Sequence, residues 1–238
     1  MALEIMADQF LDVVRTMSGG DGSLAVPSML RYACTTIPGT DHAGITLASS
    51  GSQPATIAAT GELPLEIDHL QYSLGEGPCL AALSVTDLVR VGDLALDERF
   101  PRFAPRAVDL GVRSMLSAPM QLSDGERAAL NLYSVRPGAF EPDHVALAGI
   151  FAAYVSLLLL NHRRQEKIMR LERALESNRE IGVATGILME QRRSNQTAAF
   201  ERLVQASQNS NRRLRDVATE VNRTMQLPSL AEDPNQRQ

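Results

Sequence analysis

Apolar positions along this chain change period twice, and each change marks a change of architecture. Over Met1 to Met17, Leu3, Met6, Phe10, Val13, Val14 and Met17 recur at helical spacing, and Gly19-Gly20-Asp21-Gly22 ends the run. Leu24 to Thr36 reads as a second helix. Extended runs follow at Ala43 to Ala48, Ala55 to Thr60, Leu88 to Val91, Ser114 to Met120 and Ala129 to Val135. Turn chemistry separates them: Ser50-Gly51-Ser52, Gly61 with Pro64, and Ser123-Asp124-Gly125, which predicts a hairpin between the last two strands. Strands in a run, helices at both ends and one excursion between predict an α+β domain, an antiparallel sheet flanked by helices.

From Pro142 to about Met189 the pattern is helical throughout. Between Pro142 and Met189 there is no further proline, and glycine occurs there only at 149, 182 and 186. Ile168, Leu171, Leu175 and Asn178 follow a 3-4-3 spacing, and the same register runs back through Leu157, Tyr154 and Leu147. That spacing predicts a coiled-coil seam and a homodimer, with Asn178 as a polar residue that sets register. Asn161 and Arg164 interrupt the seam, and packing of this face on its own domain is the alternative. Two short helices are predicted next. Asn195 is an N-cap for one carrying Ala199, Phe200, Leu203, Val204 and Ser207, and Asn211 for one carrying Leu214, Val217, Ala218 and Val221. Neither helix buries enough alone, so they are expected to close a three-helix core with Ile181, Ala184 and Leu188. Ala184, Leu188, Phe200, Leu214 and Ala218 are its expected centre. Gly186 is expected where the first of these helices meets a neighbour closely. From Leu227 on, the composition reads as a disordered tail.

Charge divides the chain at the same place. Residues 1–162 carry 9 Lys+Arg against 18 Asp+Glu, a net of −9, whereas residues 163–226 carry 13 against 8, a net of +5. A basic helical module behind an acidic domain points to a polyanionic partner for the basic part. Lys167 is the one lysine, so that surface is built of arginine, whose planar fork suits phosphate and base edges. No stretch reaches the roughly 18 consecutive apolar residues of a membrane span, and the acidic N-terminus is unlike a signal peptide. Cys34 and Cys79 lack metal or disulfide-framework spacing, and a reducing cytoplasm is the expected location.

Candidate chemistry is sparse in the acidic part. Glu76 near Cys79 suggests nucleophilic catalysis only if a histidine joins them. His42 stands at a strand, His69 in a polar loop, and His144 and His162 on the long helix. Gly75-x-Gly77-Pro78 lacks the Lys-Ser/Thr of a phosphate-cradling loop and more simply shapes a turn into a helix beginning near Pro78. A helix N-terminus would lower the pKa of Cys79, but a small buried side chain is the plainer reading. Asp93, Asp97 and Glu98 are too loose a cluster for a metal. No catalytic residue, metal or cofactor is expected.

The basic module carries a resemblance. Ile181-Gly182-Val183-Ala184-Thr185-Gly186-Ile187-Leu188-Met189, then Ala199-Phe200, Ser207-Gln208 and Asn211-Arg212-Arg213-Leu214-Arg215-Asp216-Val217-Ala218, resemble the ANTAR domain over about 168–225. Thr185 stands where that family often has lysine, and Val204 where arginine is common. The resemblance implies a three-helix RNA-binding module of transcription antiterminators, which binds paired hairpin loops in leader RNA as a dimer. The acidic part resembles a GAF sensor domain over roughly 24–160. Gly75-Glu76-Gly77-Pro78-Cys79, Val91-Gly92-Asp93-Leu94, Arg99-Phe100-Pro101, Gly111-Val112-Arg113-Ser114 and Leu130-Asn131-Leu132-Tyr133-Ser134 carry that likeness. It implies a regulatory domain with an unknown small-molecule ligand.

The expected organisation is an N-terminal helix at 1–23, a GAF domain at 24–162, an ANTAR domain at 163–226 and a tail at 227–238. Arg192, Arg193, Gln208, Asn211, Arg212 and Arg213 are the expected RNA-binding residues. Two other readings remain open: a helix-turn-helix regulator binding duplex DNA, and a ligand-binding module whose helical end only dimerises.

Overall fold

The computed structural model describes residues 22–49, 51–122 and 125–228. The helix expected over Met1 to Met17 and the tail from residue 229 on lie outside the described residues. The chain forms two compact units, residues 1–163 and 164–238.

The first unit is built on a five-stranded antiparallel sheet. In chain order come α1 (Gly22–Thr36), β1 (His42–Ala48), β2 (Ala55–Ala59), α2 (Glu62–Leu74), α3 (Pro78–Ser84), β3 (Val89–Val91), a 3₁₀ turn (Leu94–Leu96), α4 (Ala104–Asp109), β4 (Ser114–Gln121), β5 (Arg127–Ser134) and α5 (Pro142–Arg192). The strand order is β2-β1-β5-β4-β3. The predicted hairpin closes with Gln121 opposite Arg127, and β5 pairs on its other edge with β1, His42 opposite Tyr133. All five strands fall within two residues of the periodicity reading. The helix at 62–74 does not follow from it. Gly61 and Pro64 read as a turn, but Pro64 lies in the first turn of α2, where a missing N–H costs no hydrogen bond. His69, expected in a loop, is therefore on a helix.

Strand alternation assigns the two faces. Ala43, Ile45, Leu116, Ala118, Met120, Ala128, Leu130 and Leu132 face α1 and the first turns of α5, whose Met29, Leu30, Ala148, Phe151, Ala152 and Val155 complete a fully apolar core. The opposite face is covered by α2, α3 and α4. Met115 and Tyr133 pack there on Ile67, Phe103 and Ala107, and Ala129 on Cys79 and Ala82. That face also carries Thr46, Ser117 and Asn131, all buried. One window of α5 is apolar enough by length and composition to cross a membrane. Ala148, Phe151, Ala152 and Val155 of that stretch lie in the core of this unit, while Ile150 and Leu157 are exposed.

The second unit comprises α5 beyond Arg163, α6 (Gln196–Ser210) and α7 (Leu214–Thr224). Its core is Ala184, Leu188, Ala199, Leu203, Val217, Ala218 and Val221. Phe200, expected inside, is 41% exposed. Ala199 and Leu203 share one face of α6 at i, i+4, and the residue after Ala199 is turned about 100° away from it. Val204 is only half-buried for the same reason.

Candidate nucleic-acid interface

The second unit is a small arginine-bearing surface on a three-helix scaffold, and both of its interhelical turns are closed by a left-handed residue. Asn195 caps α6 as expected, accepting from the Ala198 N–H at 2.9 Å. Asn211 does not cap α7. It ends α6 with φ 50°, its N–H bonded to the Gln208 carbonyl, while the Arg212 N–H reaches the Ser207 carbonyl at 3.1 Å. This is a Schellman closure, in which asparagine is the residue that tolerates left-handed backbone best after glycine. Arg213 occupies the N-cap position of α7 without a side-chain bond to the helix. The turn after α5 closes the same way. There the left-handed residue is Arg193, φ 47°, with the Ser194 N–H on the Met189 carbonyl at 3.1 Å. An arginine in that conformation costs about 1 kcal/mol relative to glycine.

Cross-links show how the helices run. Arg215 pairs with Glu176 at 2.8 Å, Asn222 donates to Glu180, and Gln191 donates to the Met225 carbonyl at 2.7 Å. α7 therefore runs alongside α5 in the same direction, and α6 returns between them. Arg192 and Arg193 stand at the start of α6, Arg212 and Arg213 at its end. With 15 residues between and about 1.5 Å of rise per residue, the two pairs lie roughly 22 Å apart. The structure does not gather the six predicted residues into one cluster. Gln208, Asn211, Arg212 and Arg213 share the α6–α7 turn, and Arg192 and Arg193 share the α5–α6 turn. Their freedom differs too. Arg212 is held by Glu220 at 2.5 Å, whereas Arg192 and Arg193 are exposed and make no ion pair among the described residues.

The face of α5 that carries the seam pattern is divided. Leu147 and Tyr154 pack against the core of the first unit. Ile168, Leu171 and Leu175, in the second unit, are 50%, 55% and 69% exposed. Gly186 departs from expectation: a Cβ there would meet nothing within 4 Å, and the same holds at Gly182. The two glycines instead floor a groove of about 310 Å³ that also involves Asn178, Thr185, Met189, Gln196 and Phe200. Sequence periodicity missed this groove because it assigned Phe200 to the core.

In the first unit, the side chains singled out earlier serve architecture. The Glu76 carboxylate accepts from the Arg102 and Phe103 N–H groups at 2.7 and 2.9 Å, which anchors the approach to α4. Gly77, φ 146°, has no room for a Cβ, which would fall 2.3 Å from the Gln71 side chain. Gln71 in turn accepts from the Cys79 N–H at 2.8 Å. Cys79 is buried, and burial pushes its thiol up to about 12, the reverse of an activated nucleophile. Asp93 and Asp97 are paired with Arg113 and Arg99, which rules out a free carboxylate cluster there.

A buried polar layer lies between the sheet and α2. The Asp68 carboxylate accepts from Tyr133 Oη at 2.6 Å, Thr56 Oγ1 at 2.8 Å, Gln71 Nε2 at 3.1 Å and Thr46 Oγ1 at 3.4 Å. No cation accompanies it among the described residues, and burial raises its pKa to about 6 against the pull of those donors. A bulge in the β1–β2 pairing, between Ile45 and Thr46, sets Thr56 opposite Thr46 so that both hydroxyls reach the carboxylate.

The fold and the sequence agree with known families. A model described as the GAF domain matches residues 25–159, more than half of the chain, and one described as the ANTAR domain matches residues 169–221. Comparison with curated proteins finds no match. Among solved structures, the GAF domain of a phosphoenolpyruvate-protein phosphotransferase from Coxiella burnetii is 13% identical. It covers 70% of this chain and 96% of its own, with a TM-score of 0.54. The corresponding Acinetobacter domain is 15% identical, covering 68% of this chain and 98% of its own, with a TM-score of 0.53. A free methionine-R-sulfoxide reductase from Neisseria meningitidis, solved with its substrate, is 15% identical. It covers 65% of this chain and 87% of its own at a TM-score of 0.50. At these identities the likeness is one of fold. GAF domains are sensor domains and ANTAR domains are RNA-binding antiterminator modules, regulatory rather than catalytic. The chain belongs to the GAF-domain family and has the architecture of a GAF–ANTAR regulator.

Proposed function

We propose that this chain is a transcription antiterminator that binds paired hairpin loops in leader RNA as a homodimer, under the control of its GAF unit. The observation that carries the proposal is the α5–α6 turn. It presents two exposed arginines, without an ion pair among the described residues and one of them held in left-handed backbone, on a module that matches the ANTAR family. Unpaired RNA loops offer splayed bases and closely spaced phosphates, which suit arginine's planar fork. The exposed stripe of Ile168, Leu171 and Leu175 supports pairing of two α5 helices, since apolar knobs at 3-4 spacing are what a coiled-coil partner covers. The GAF unit would set the spacing or exposure of the two modules in response to a small molecule. The cytoplasm, where leader RNA is made, is the setting this reading requires.

The test is filter binding of the full chain to a synthetic RNA with two stem-loops, beside a scrambled strand and a DNA duplex. Preference for the two-stem RNA is expected, falling with salt. Each lost phosphate contact flattens the salt slope by roughly 0.7 for single-stranded loops, so Arg192→Ala with Arg193→Ala should weaken binding and reduce the slope by about one unit or more. Arg212→Ala should matter less, because Glu220 already occupies its guanidinium. Equal binding of scrambled RNA would leave a dimerising module without RNA function, and preference for the duplex would favour a DNA-binding regulator.

A further inference from the structure

The groove on α5 has a shape and chemistry that arginine contacts to phosphate do not use. Its floor is bare backbone at Gly182 and Gly186, with open space above both. One wall is Phe200, an aromatic ring on α6 that is 41% exposed. Two primary amides, Asn178 and Gln196, line it and are exposed. Thr185 closes the inner edge. It is 5% exposed, and its hydroxyl donates to the Ile181 carbonyl at 2.7 Å, so it brings no unmet polar atom to the groove. At the far end the helix runs directly from Met189 into Arg192 and Arg193.

We infer that this groove receives an unpaired nucleobase of the RNA, stacked on Phe200 above the two glycines, with Asn178 and Gln196 reading its edge. The inference rests on the RNA-binding reading above. Three observations favour a base over a second copy of this chain. The apolar seam of Ile168, Leu171 and Leu175 breaks here: Asn178 and then Gly182, next in register, offer a partner helix no apolar knob to bury. An aromatic ring beside amides is what a flat, hydrogen-bonding ring needs, whereas a helix in water is held by buried apolar area. The exposed arginines at the groove's end supply the charge complementary to the phosphate that follows any base.

The experiment uses the full chain and the same synthetic two-stem RNA, intact or with abasic sites at single loop positions. Phe200→Ala is expected to weaken binding roughly five- to hundredfold, the range of stacking on one base, without changing the salt slope. One abasic position should weaken the parent to the same degree and the variant no further. Gly186→Leu, which fills the groove and leaves Phe200 in place, should reproduce the loss, and it decides the matter if Phe200→Ala fails to fold. Binding at parental affinity by Gly186→Leu overturns the inference while leaving the arginine reading intact. A fall in mass by light scattering for Gly186→Leu, with RNA affinity retained, would assign the groove to a second copy instead. Failure of the parent itself to prefer the two-stem RNA would remove both readings together.

Discussion

At the scale of single residues, Asp68 and Arg193 each carry a cost that the rest of the fold covers. Asp68 is fully buried without a cation among the described residues, and its folded pKa of about 6 lies above the unfolded value near 3.9. A raised folded pKa means that the native state holds the proton more tightly. The associated stability is complete below about pH 4 and is lost as pH rises through about 6, amounting to about 3 kcal/mol. Asp68→Asn keeps the shape and removes the titration, since the hydroxyls of Thr46 and Thr56 can turn to accept from an amide. The stability difference between parent and variant, from urea melts at pH 4 and pH 7.5, is expected to shift in favour of the variant at the higher pH. A difference independent of pH would mean that Asp68 does not titrate in that window. Arg193→Gly should act oppositely on fold and function. Relief of the left-handed backbone is expected to stabilise the second unit by about 1 kcal/mol, while loss of the guanidinium weakens RNA binding. Thermal melts and filter binding on one sample would show both, and an unstabilised variant would contradict the strain.

At the scale of elements, α5 is a single helix with different work along its length. Its first turns bury Ala148, Phe151, Ala152 and Val155 against the sheet, its middle exposes Ile168, Leu171 and Leu175, and its last turns bury Ala184 and Leu188. Among the described residues nothing covers the middle. Leu171→Glu with Leu175→Glu should therefore convert a dimer to a monomer, because two carboxylates per chain cannot share an apolar seam. A light-scattering mass equal to the parent's would refute pairing through this stripe. The last turns behave as core. Leu188→Ala should cost the second unit about 2–5 kcal/mol, the range for a fully buried leucine. Loss of helical signal on melting reads that change directly, with Phe200→Ala as the contrasting exposed site.

At the scale of the whole molecule, charge is segregated between units. The chain carries −5 overall, so attraction to a polyanion has to come from a local arginine surface and not from net charge. Residues 1–162, with a net of −9, are expected to bind no RNA at any salt concentration. Binding by residues 163–238 alone as tight as by the full chain would remove the support for regulation by the GAF unit.

Much of this was legible before any coordinates. Periods of two and of 3.6 place the five strands, α1, α5, α6 and α7 within a few residues, because alternation and helical stripes are imposed by burial of one face. Asn195 is readable as a cap, and the arginines as exposed, because both depend on neighbours close in sequence. What is not local was not legible. β1 lies beside β5, and Tyr133 donates to Asp68 across 65 positions, contacts that no short window contains. Adjacent apolar residues such as Ala199 and Phe200 cannot be ranked for burial by pattern alone, and only the approach of α5 and α7 selects Ala199. Asn211 satisfies the composition of an N-cap and of a left-handed C-cap equally, and the path of the turn decides. The sequence by itself determined where elements lie and what kind of surface each module bears. The tertiary structure alone decided that a glycine floor and an aromatic wall meet in one groove, because that depends on how three helices close over a small core.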